Sequence, residues 1–227
     1  MQEHWTNDDE LFDLMKRELF SAVIGDIMDQ LGYQHQFLPP EIQPLKDTMV
    51  LVGRAMPVLE ADIDQGIPEA LADKPFGLML EALDDLKHNE VYICTGSSPT
   101  YALWGELMST RAMQLGAVGA VVDGYSRDTT GILALGFPTF SYGRYAQDQG
   151  PRGKVIDFRV PIEIGNVKVE QGDIIFGDLD GVCIVPRSIE IEVIAKSLEK
   201  ARGEKTVKTA IENGMSACAA FEKYGIM

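Results

Sequence analysis

Residues 116–128, GAVGAVVDGYSRD, decide the fold that this sequence predicts. The apolar run within it is short and bounded by glycines, which is typical of a strand buried in a sheet. It follows a helical pattern that ends at Gly116 and leads into the polar pair Arg127-Asp128. Ligands in open α/β sheets bind at the carboxyl ends of strands. The stretch therefore predicts an α/β sheet with a ligand site at Arg127 and Asp128.

The sequence on either side alternates between helix and strand patterns, which predicts a central sheet covered by helices. Helical spacing or caps predict four helical segments: Asp8 to about Leu31, residues 75–90, a segment ending at Gly116, and residues 188–214. Within the first segment, Ser21 would cap a second helix. Apolar runs or apolar/polar alternation predict strands at these: 49–60, 91–96, 137–143 and, as hairpins, 153–187.

Composition favours one globular domain without a membrane segment. Of the 227 residues, 45% are hydrophobic, which is enough for a core. No apolar run approaches the roughly 18–20 residues that span a bilayer, and no linker divides the chain. We expect a cytoplasmic protein with one domain, 1–227, in which 1–45 form an N-terminal helical arm and 188–227 a C-terminal helix and tail.

Charge and missing motifs exclude several classes of protein. The net charge is −15 with no basic block, so nucleic-acid binding is disfavoured, and an acidic substrate needs local positive charge. The three cysteines form no CxxC pair. The sequence contains no HExxH, GxSxG, phosphate-loop or dinucleotide motif around His4, His35, His88 or elsewhere. The sequence pattern predicts that no lysine interrupts a buried strand, where desolvation would lower its pKa for Schiff-base chemistry.

Two corners after predicted strands carry the remaining candidates. Residues 92–98, followed by Gly-Glu-Leu at 105–107, offer backbone N–H groups for a substrate carboxylate, although an ordinary βα turn is the alternative. At the second corner, Asp128 is a hard oxygen ligand suited to Mg²⁺, and Arg127 suits a carboxylate or enolate oxygen. The alternative there is a surface Arg-Asp pair that caps the next helix. The acidic cluster 177–181 is predicted to be a hairpin turn.

Taken together, these segments resemble the family of regulator of ribonuclease activity A (RraA-like) proteins. This family includes the class II 4-hydroxy-4-methyl-2-oxoglutarate/4-carboxy-4-hydroxy-2-oxoadipate aldolases. The matching stretches, in chain order, are SAVIGDIMD at 21–29, VGRA at 52–55, GEL at 105–107, residues 116–128, FP at 137–138, VPI at 160–162, GD at 172–173 and GDLDGV at 177–182. The resemblance implies a compact α/β fold like the phosphohistidine swivelling domain, assembled as homotrimers or homohexamers with the site at the subunit interface.

The resemblance also implies roles for particular residues. Asp128 would be the one direct protein ligand to Mg²⁺, Mn²⁺ or another divalent metal, Arg127 would contact the 2-oxo acid, and Glu106 would act through metal-bound water. Glu204 is the best match for a glutamate that reaches the site of the adjacent subunit. The pyruvyl carboxylate would be held by the turn at the start of a helix, at Gly105, Glu106, Leu107 and Met108.

The implied activity is that of a metal-dependent lyase. It would cleave a 4-hydroxy-2-oxo acid to pyruvate and a carbonyl product through a metal-stabilised enolate, and oxaloacetate decarboxylation would pass through the same enolate. Two alternatives stay open: a non-catalytic, protein-binding regulator of a ribonuclease, and another metal-dependent lyase or decarboxylase on the same scaffold. The intact Arg127-Asp128 and Gly105-Glu106-Leu107 set favours an enzyme.

Overall fold

The computed structural model of the protein describes residues 5–226, so that His4 lies outside the described residues. The helices are α1 Asp8–Glu18, α2 Ser21–Gln30, α3 Met79–Asp84, α4 Glu106–Gln114, α5 Thr129–Leu135, α6 Glu190–Glu212 and α7 Ala217–Tyr224. The strands are β1 Gln43–Pro44, β2 Leu51–Asp62, β3 Glu90–Thr95, β4 Ala102–Trp104, β5 Gly119–Val122, β6 Tyr125–Ser126, β7 Thr139–Ser141, β8 Gly153–Phe158, β9 Ile162–Ile164, β10 Val167–Val169, β11 Ile174–Asp178 and β12 Gly181–Val185.

One mixed sheet forms the centre of the protein, in the order β1-β7-β5-β3-β2-β11-β12. The strands β2, β3, β5 and β7 run parallel to one another, and the remaining pairs in the sheet are antiparallel. The long strand β2 pairs with β11 through its first residues and with β8 through its last. The predicted α/β fold with a helix-covered sheet is confirmed.

Apolar residues fill both faces of this sheet. Along β11, Ile174 and Phe176 belong to one buried cluster while Ile175 belongs to the other, as expected for a strand whose side chains alternate between faces. We call the first cluster the rear core; it packs α1, α2 and α6 against β11 and β12. The second, the front core, contains Tyr92, Trp104 and most of the remaining apolar residues. The candidate site lies beside the front core.

A partly buried arginine joins the two ends of the chain to the central strand. Arg54 of β2 donates through Nε to Asp8 Oδ2 of α1 at 2.9 Å, and it also donates to Glu190 of α6. A further bond reaches the carbonyl oxygen of Gly172 at 3.1 Å. Two acidic partners and a carbonyl compensate the cost of burying this charge, because each satisfies donors that water would otherwise solvate.

The starts predicted for two helices were wrong, and one helix was not predicted. Ser21 is the first residue of α2 and not its cap; its hydroxyl donates to Asp178 Oδ1 at 2.7 Å, a contact set by tertiary structure. The helix predicted from residue 75 begins only at Met79, because Gly77 has a φ of 62° and lies against β8. The predicted tail contains α7, whose start is capped by the hydroxyl of Ser216. Within residues 5–226, every helix is too short or too polar to cross a membrane.

Candidate functional site

A short parallel strand pair brings the two halves of the candidate site together. β4 pairs with β6, with Trp104 opposite Ser126. The backbone N–H of Arg127 then donates to the carbonyl oxygen of Trp104 at 2.8 Å. Because both strands end here, the segments Gly105-Glu106 and Arg127-Asp128 emerge side by side from neighbouring strands.

Asp128 stands at the start of α5 in a left-handed backbone conformation, with φ 54° and ψ 34°. Aspartate adopts this conformation more readily than most residues. Asp128 is the N-cap residue of α5, as the alternative reading expects, but its side chain makes no capping hydrogen bond to the helix. Its Oδ2 lies 2.9 Å from where a Cβ on Gly105 would be. Glycine at 105 therefore leaves room for the Asp128 carboxylate.

Arg127 is held between two carboxylates. Its Nε lies 3.5 Å from Asp128 Oδ2, and its Nη1 donates to Asp148 Oδ1. Asp148 was not indicated by the sequence, because it lies in an irregular loop without a recognisable motif. The two contacts orient the guanidinium while 37% of the side chain stays exposed. Arg127 can therefore still bind an anionic ligand.

Glu106 is the first residue of α4, and Gly105 precedes it without offering a side-chain cap. The first N–H groups of a helix have no partner within the helix. The Ser109 hydroxyl accepts from Trp104 Nε1 at 2.7 Å and donates to the Gly105 carbonyl at 3.1 Å, which fixes the start of α4. The amide groups of residues 106–108 are thus presented at a rigid helix start, a favourable place for a carboxylate.

The Glu106 side chain lies against α5 at Gly131. A Cβ on Gly131 would come within 2.1 Å of both Cδ and Oε2 of Glu106. No rearrangement of backbone would be needed to relieve this contact, since the end of a glutamate side chain can rotate away. Gly131 therefore determines where the Glu106 carboxylate can lie.

Two cavities meet at Arg127 and Asp128. The first, which we call the helix cavity, has a volume of about 280 Å³ and apolar walls from α3 and α4, and its lining also includes Asp148 and Gln149. The second, the loop cavity, has a volume of about 500 Å³. It is lined by Ser126, Arg127, Asp128, Thr129, Arg144, Tyr145 and Ala146.

A buried carboxyl group supports one wall residue of the helix cavity. Glu60 of β2 accepts a hydrogen bond from Gln149 Nε2 at 2.6 Å through Oε2, whereas its Oε1 has no partner among the described residues. Burial raises the pKa of Glu60 to about 8, although the bond from Gln149 acts to lower it. The carboxyl is therefore protonated at neutral pH. A glutamate inside an apolar strand pattern was the signal that could have identified it.

The donor set of the site suits a hard divalent cation. No cluster of three or more His, Cys, Asp or Glu side chains within residues 5–226 is arranged to hold a metal ion. Asp128 therefore offers a single carboxylate at the meeting point of the cavities. Mg²⁺ commonly binds through one or two carboxylates and keeps several waters. The residues present fit such a cation, and they do not fit a metal enclosed by protein ligands.

Two parts of the predicted site, the corner at residues 92–98 and Glu204, do not lie beside Arg127 and Asp128 within one chain. At the first corner, the N–H of Ser98 donates to the Asp62 carboxylate at 3.1 Å, so the protein's own carboxylate occupies that turn. Glu204 lies on α6, 3.8 Å from Lys200, and lines a separate cavity beside α2. Its assignment to the site of an adjacent subunit stays a prediction.

Comparison with known proteins places these residues in a wider group. The RraA-like family model, described as Aldolase/RraA, matches residues 21–184. A Halalkalibacterium halodurans protein named "Putative 4-hydroxy-4-methyl-2-oxoglutarate aldolase" is 30% identical over 206 residues, which is 90% of each chain. Protein DlpA of Legionella pneumophila is 29% identical over 90% of this chain, which spans only 32% of DlpA. The crystal structure of an uncharacterized protein from Pseudomonas syringae pv. tomato covers 98% of this chain and 97% of its own, with a TM-score of 0.84 and 25% identity.

Proposed function

Because this chain belongs to the RraA-like (Aldolase/RraA) family, we propose that it is a lyase that cleaves a 4-hydroxy-2-oxo acid to pyruvate and a second carbonyl compound. Relatives named as 4-hydroxy-4-methyl-2-oxoglutarate aldolases, each with the prefix "Putative", support an aldolase-type lyase. The observation that carries the proposal is the β4–β6 pair, which places Gly105-Glu106 beside Arg127-Asp128.

The reaction sets three tasks for the site. The C4 hydroxyl loses its proton, the C3–C4 bond breaks, and C4 becomes the carbonyl carbon of the second product. The bonding electrons remain on the pyruvate fragment as an enolate, which takes up a proton at C3. The site must therefore bind the 2-oxo acid end, accept the hydroxyl proton and stabilise negative charge on the enolate oxygen.

The described residues can perform these tasks. Arg127 binds an oxygen of the 2-oxo acid end through charge-assisted hydrogen bonds, and Asp148 keeps its guanidinium in position. The amides of residues 106–108 hold the substrate carboxylate at the start of α4. Glu106 and Arg127 together position a water molecule that takes the proton from the C4 hydroxyl.

Asp128 would hold the Mg²⁺ or Mn²⁺ ion. A divalent cation supplies Lewis-acid chemistry, which polarises the keto oxygen of a 2-oxo acid. Asp128 is suited to this role because its side chain makes no capping bond and Gly105 leaves space beside Oδ2. Oxaloacetate should lose CO₂ at the same site, since that step also leaves the pyruvate enolate.

We also propose that the protein acts as a homotrimer or homohexamer in the cytoplasm, with Glu204 donated by a neighbouring subunit. Support comes from the walls of the helix cavity, where two apolar side chains face outward. Leu107 is 83% exposed and Leu80 is 56% exposed. Exposed apolar residues beside a site are typical of surfaces that a second protein copy covers.

The direct test is pyruvate release, followed with lactate dehydrogenase and NADH. We expect 4-hydroxy-4-methyl-2-oxoglutarate and oxaloacetate to yield pyruvate with Mg²⁺ or Mn²⁺, and EDTA to abolish the activity until excess metal restores it. A protein-free sample with the same metal corrects for spontaneous decarboxylation. The absence of pyruvate from a broad panel of 4-hydroxy-2-oxo acids would exclude the aldolase proposal.

Replacing Gly131 with alanine should reduce activity without destabilising the protein. The new Cβ would displace the Glu106 carboxylate, so we expect kcat/KM to fall roughly 10-fold, which is a part of the roughly 100- to 10,000-fold that a positioned proton-transfer group contributes. Alanine within a helix is favoured over glycine by about 0.5–1 kcal/mol, so the Tm should stay or rise. Thr130→Ala on the exposed face of α5 is the control and should retain activity. Unchanged kcat/KM in Gly131→Ala would show that the position of Glu106 is unimportant.

A further inference from the structure

The loop cavity contains an arginine without an internal partner. Arg144 makes no side-chain hydrogen bond or ion pair with any residue in the range 5–226, whereas Arg54 and Arg159 each contact two carboxylates. The contrast matters because the chain carries 35 acidic residues against 20 basic ones. A cation that lines a cavity and has no acidic partner in such a protein is available for an external anion.

The backbone holds Arg144 next to Arg127. Ser126 and Arg144 form an isolated parallel bridge. Within it, the N–H of Ser126 donates to the Gly143 carbonyl at 2.9 Å, and the N–H of Tyr145 donates to the Ser126 carbonyl at 2.9 Å. Ser126 directly precedes Arg127, so the two arginines are fixed on adjacent segments. These backbone bonds therefore fix the position of the Arg144 main chain beside the site.

The other groups in the loop cavity also suit an anion. The positive charge of Arg127 is already shared between Asp128 and Asp148. The hydroxyl groups of Thr129 and Tyr145 line the same cavity and donate to no residue in the described range. One unpaired guanidinium and two free hydroxyl groups together match the acceptor oxygens of a carboxylate.

We propose that Arg144 binds a second carboxylate of the substrate in the loop cavity. It would thereby select 2-oxo acids with a distal acid group over neutral analogues. The proposal rests on the proposed function, which places the 2-oxo acid end of the substrate at Arg127 and α4. The distal group then extends to the other side of the Arg127-Asp128 pair, where Arg144 supplies the local positive charge that an acidic protein must offer to a second anion.

Binding is tested with two unreactive ligands that differ only at the distal end. Calorimetry with Mg²⁺ compares 2-oxoglutarate with 2-oxopentanoate, in which a methyl group replaces the distal carboxylate. We expect the protein to bind 2-oxoglutarate roughly 10-fold more tightly, a modest factor because Arg144 is exposed. Arg144→Gln should lose this preference, with 2-oxopentanoate binding unchanged within about twofold, and Arg144→Lys should restore part of it. Arg17→Gln removes the same charge from the surface of α1 and should retain the preference.

Catalysis provides the second readout. The substrates are 4-hydroxy-4-methyl-2-oxoglutarate and 4-hydroxy-4-methyl-2-oxopentanoate, which lacks the distal carboxylate. We expect Arg144→Gln to lower kcat/KM roughly 10-fold for the first substrate. For the second substrate, kcat/KM should change by less than about twofold. An equal loss for both substrates, or a preference for 2-oxoglutarate that survives in Arg144→Gln, would overturn the proposal. If the protein cleaves neither substrate but shows the Arg144-dependent binding preference, the lyase proposal falls and the Arg144 site stands.

Discussion

Replacing Asp128 with asparagine is expected to lower pyruvate release on the order of 1000-fold while the protein remains folded. The substitution removes the carboxylate charge that would hold the divalent cation. The charge stabilisation that such a cation supplies is worth several kcal/mol, and each 1.36 kcal/mol corresponds to a tenfold change in rate. Asparagine tolerates the left-handed conformation at φ 54°, so the start of α5 should be preserved.

The measurement combines steady-state kinetics with Mn²⁺ binding, followed by electron paramagnetic resonance. We expect Mn²⁺ to bind the unaltered protein and not Asp128→Asn, with similar Tm values for both. Asp180→Asn, in the exposed turn between β11 and β12, is the matched control and should bind Mn²⁺ normally. Asp128→Ala is a less informative variant, because alanine in the left-handed conformation adds about 1 kcal/mol of strain. Full activity in Asp128→Asn would contradict the proposal that Asp128 holds a metal ion needed for the reaction.

The second large effect concerns stability and pH at Glu60. Burial raises the pKa of this carboxyl from 4.5 to about 8 in the folded protein. Below about pH 4.5, the group is protonated in both the folded and unfolded states. As pH rises from there toward 8, the unfolded chain releases the proton first, so the free energy of unfolding falls. The loss should be on the order of 4 kcal/mol by pH 8 and constant above it.

Glu60→Gln should abolish this part of the pH dependence. Glutamine is neutral at every pH, and its side-chain oxygen can still accept the hydrogen bond from Gln149. Urea unfolding at pH 5 and pH 8.5 measures the difference: the variant should gain on the unaltered protein by several kcal/mol as pH rises. Glu163→Gln on β9 is exposed and should follow the unaltered protein. Parallel pH profiles for Glu60→Gln and the unaltered protein would show that Glu60 is ionised when folded.

The main elements of the fold could be predicted because their patterns are local. The buried strand β5 and the long helix α6 appear directly in the spacing of apolar residues. The strands β4 and β6 could not be predicted in this way. They contain three and two residues, too few for any periodicity, and they form only because they pair with each other. Yet this pair assembles the candidate site.

The candidate site likewise contains residues that local patterns predict and residues that they do not. Glu106, Arg127 and Asp128 follow strand or helix patterns, so sequence reasoning singled them out, and the structure places them together. Asp148 and Arg144 were missed because they lie on a loop that no motif marks. The loop reaches the site through backbone bonds to β6, and such a contact between distant segments leaves no local pattern.

The rear core has a consequence for shortened versions of the protein. The family match ends at residue 184, before α6 begins. A chain cut there would keep Arg127 and Asp128, but it would lose the helix that packs beside Ile174 and Phe176 in the rear core. Uncovered apolar sheet surface promotes association between copies. Such a fragment should therefore precipitate even though it retains its candidate catalytic residues. Its solubility depends on the face of the sheet that carries the rear core, whereas the candidate site lies on the opposite face.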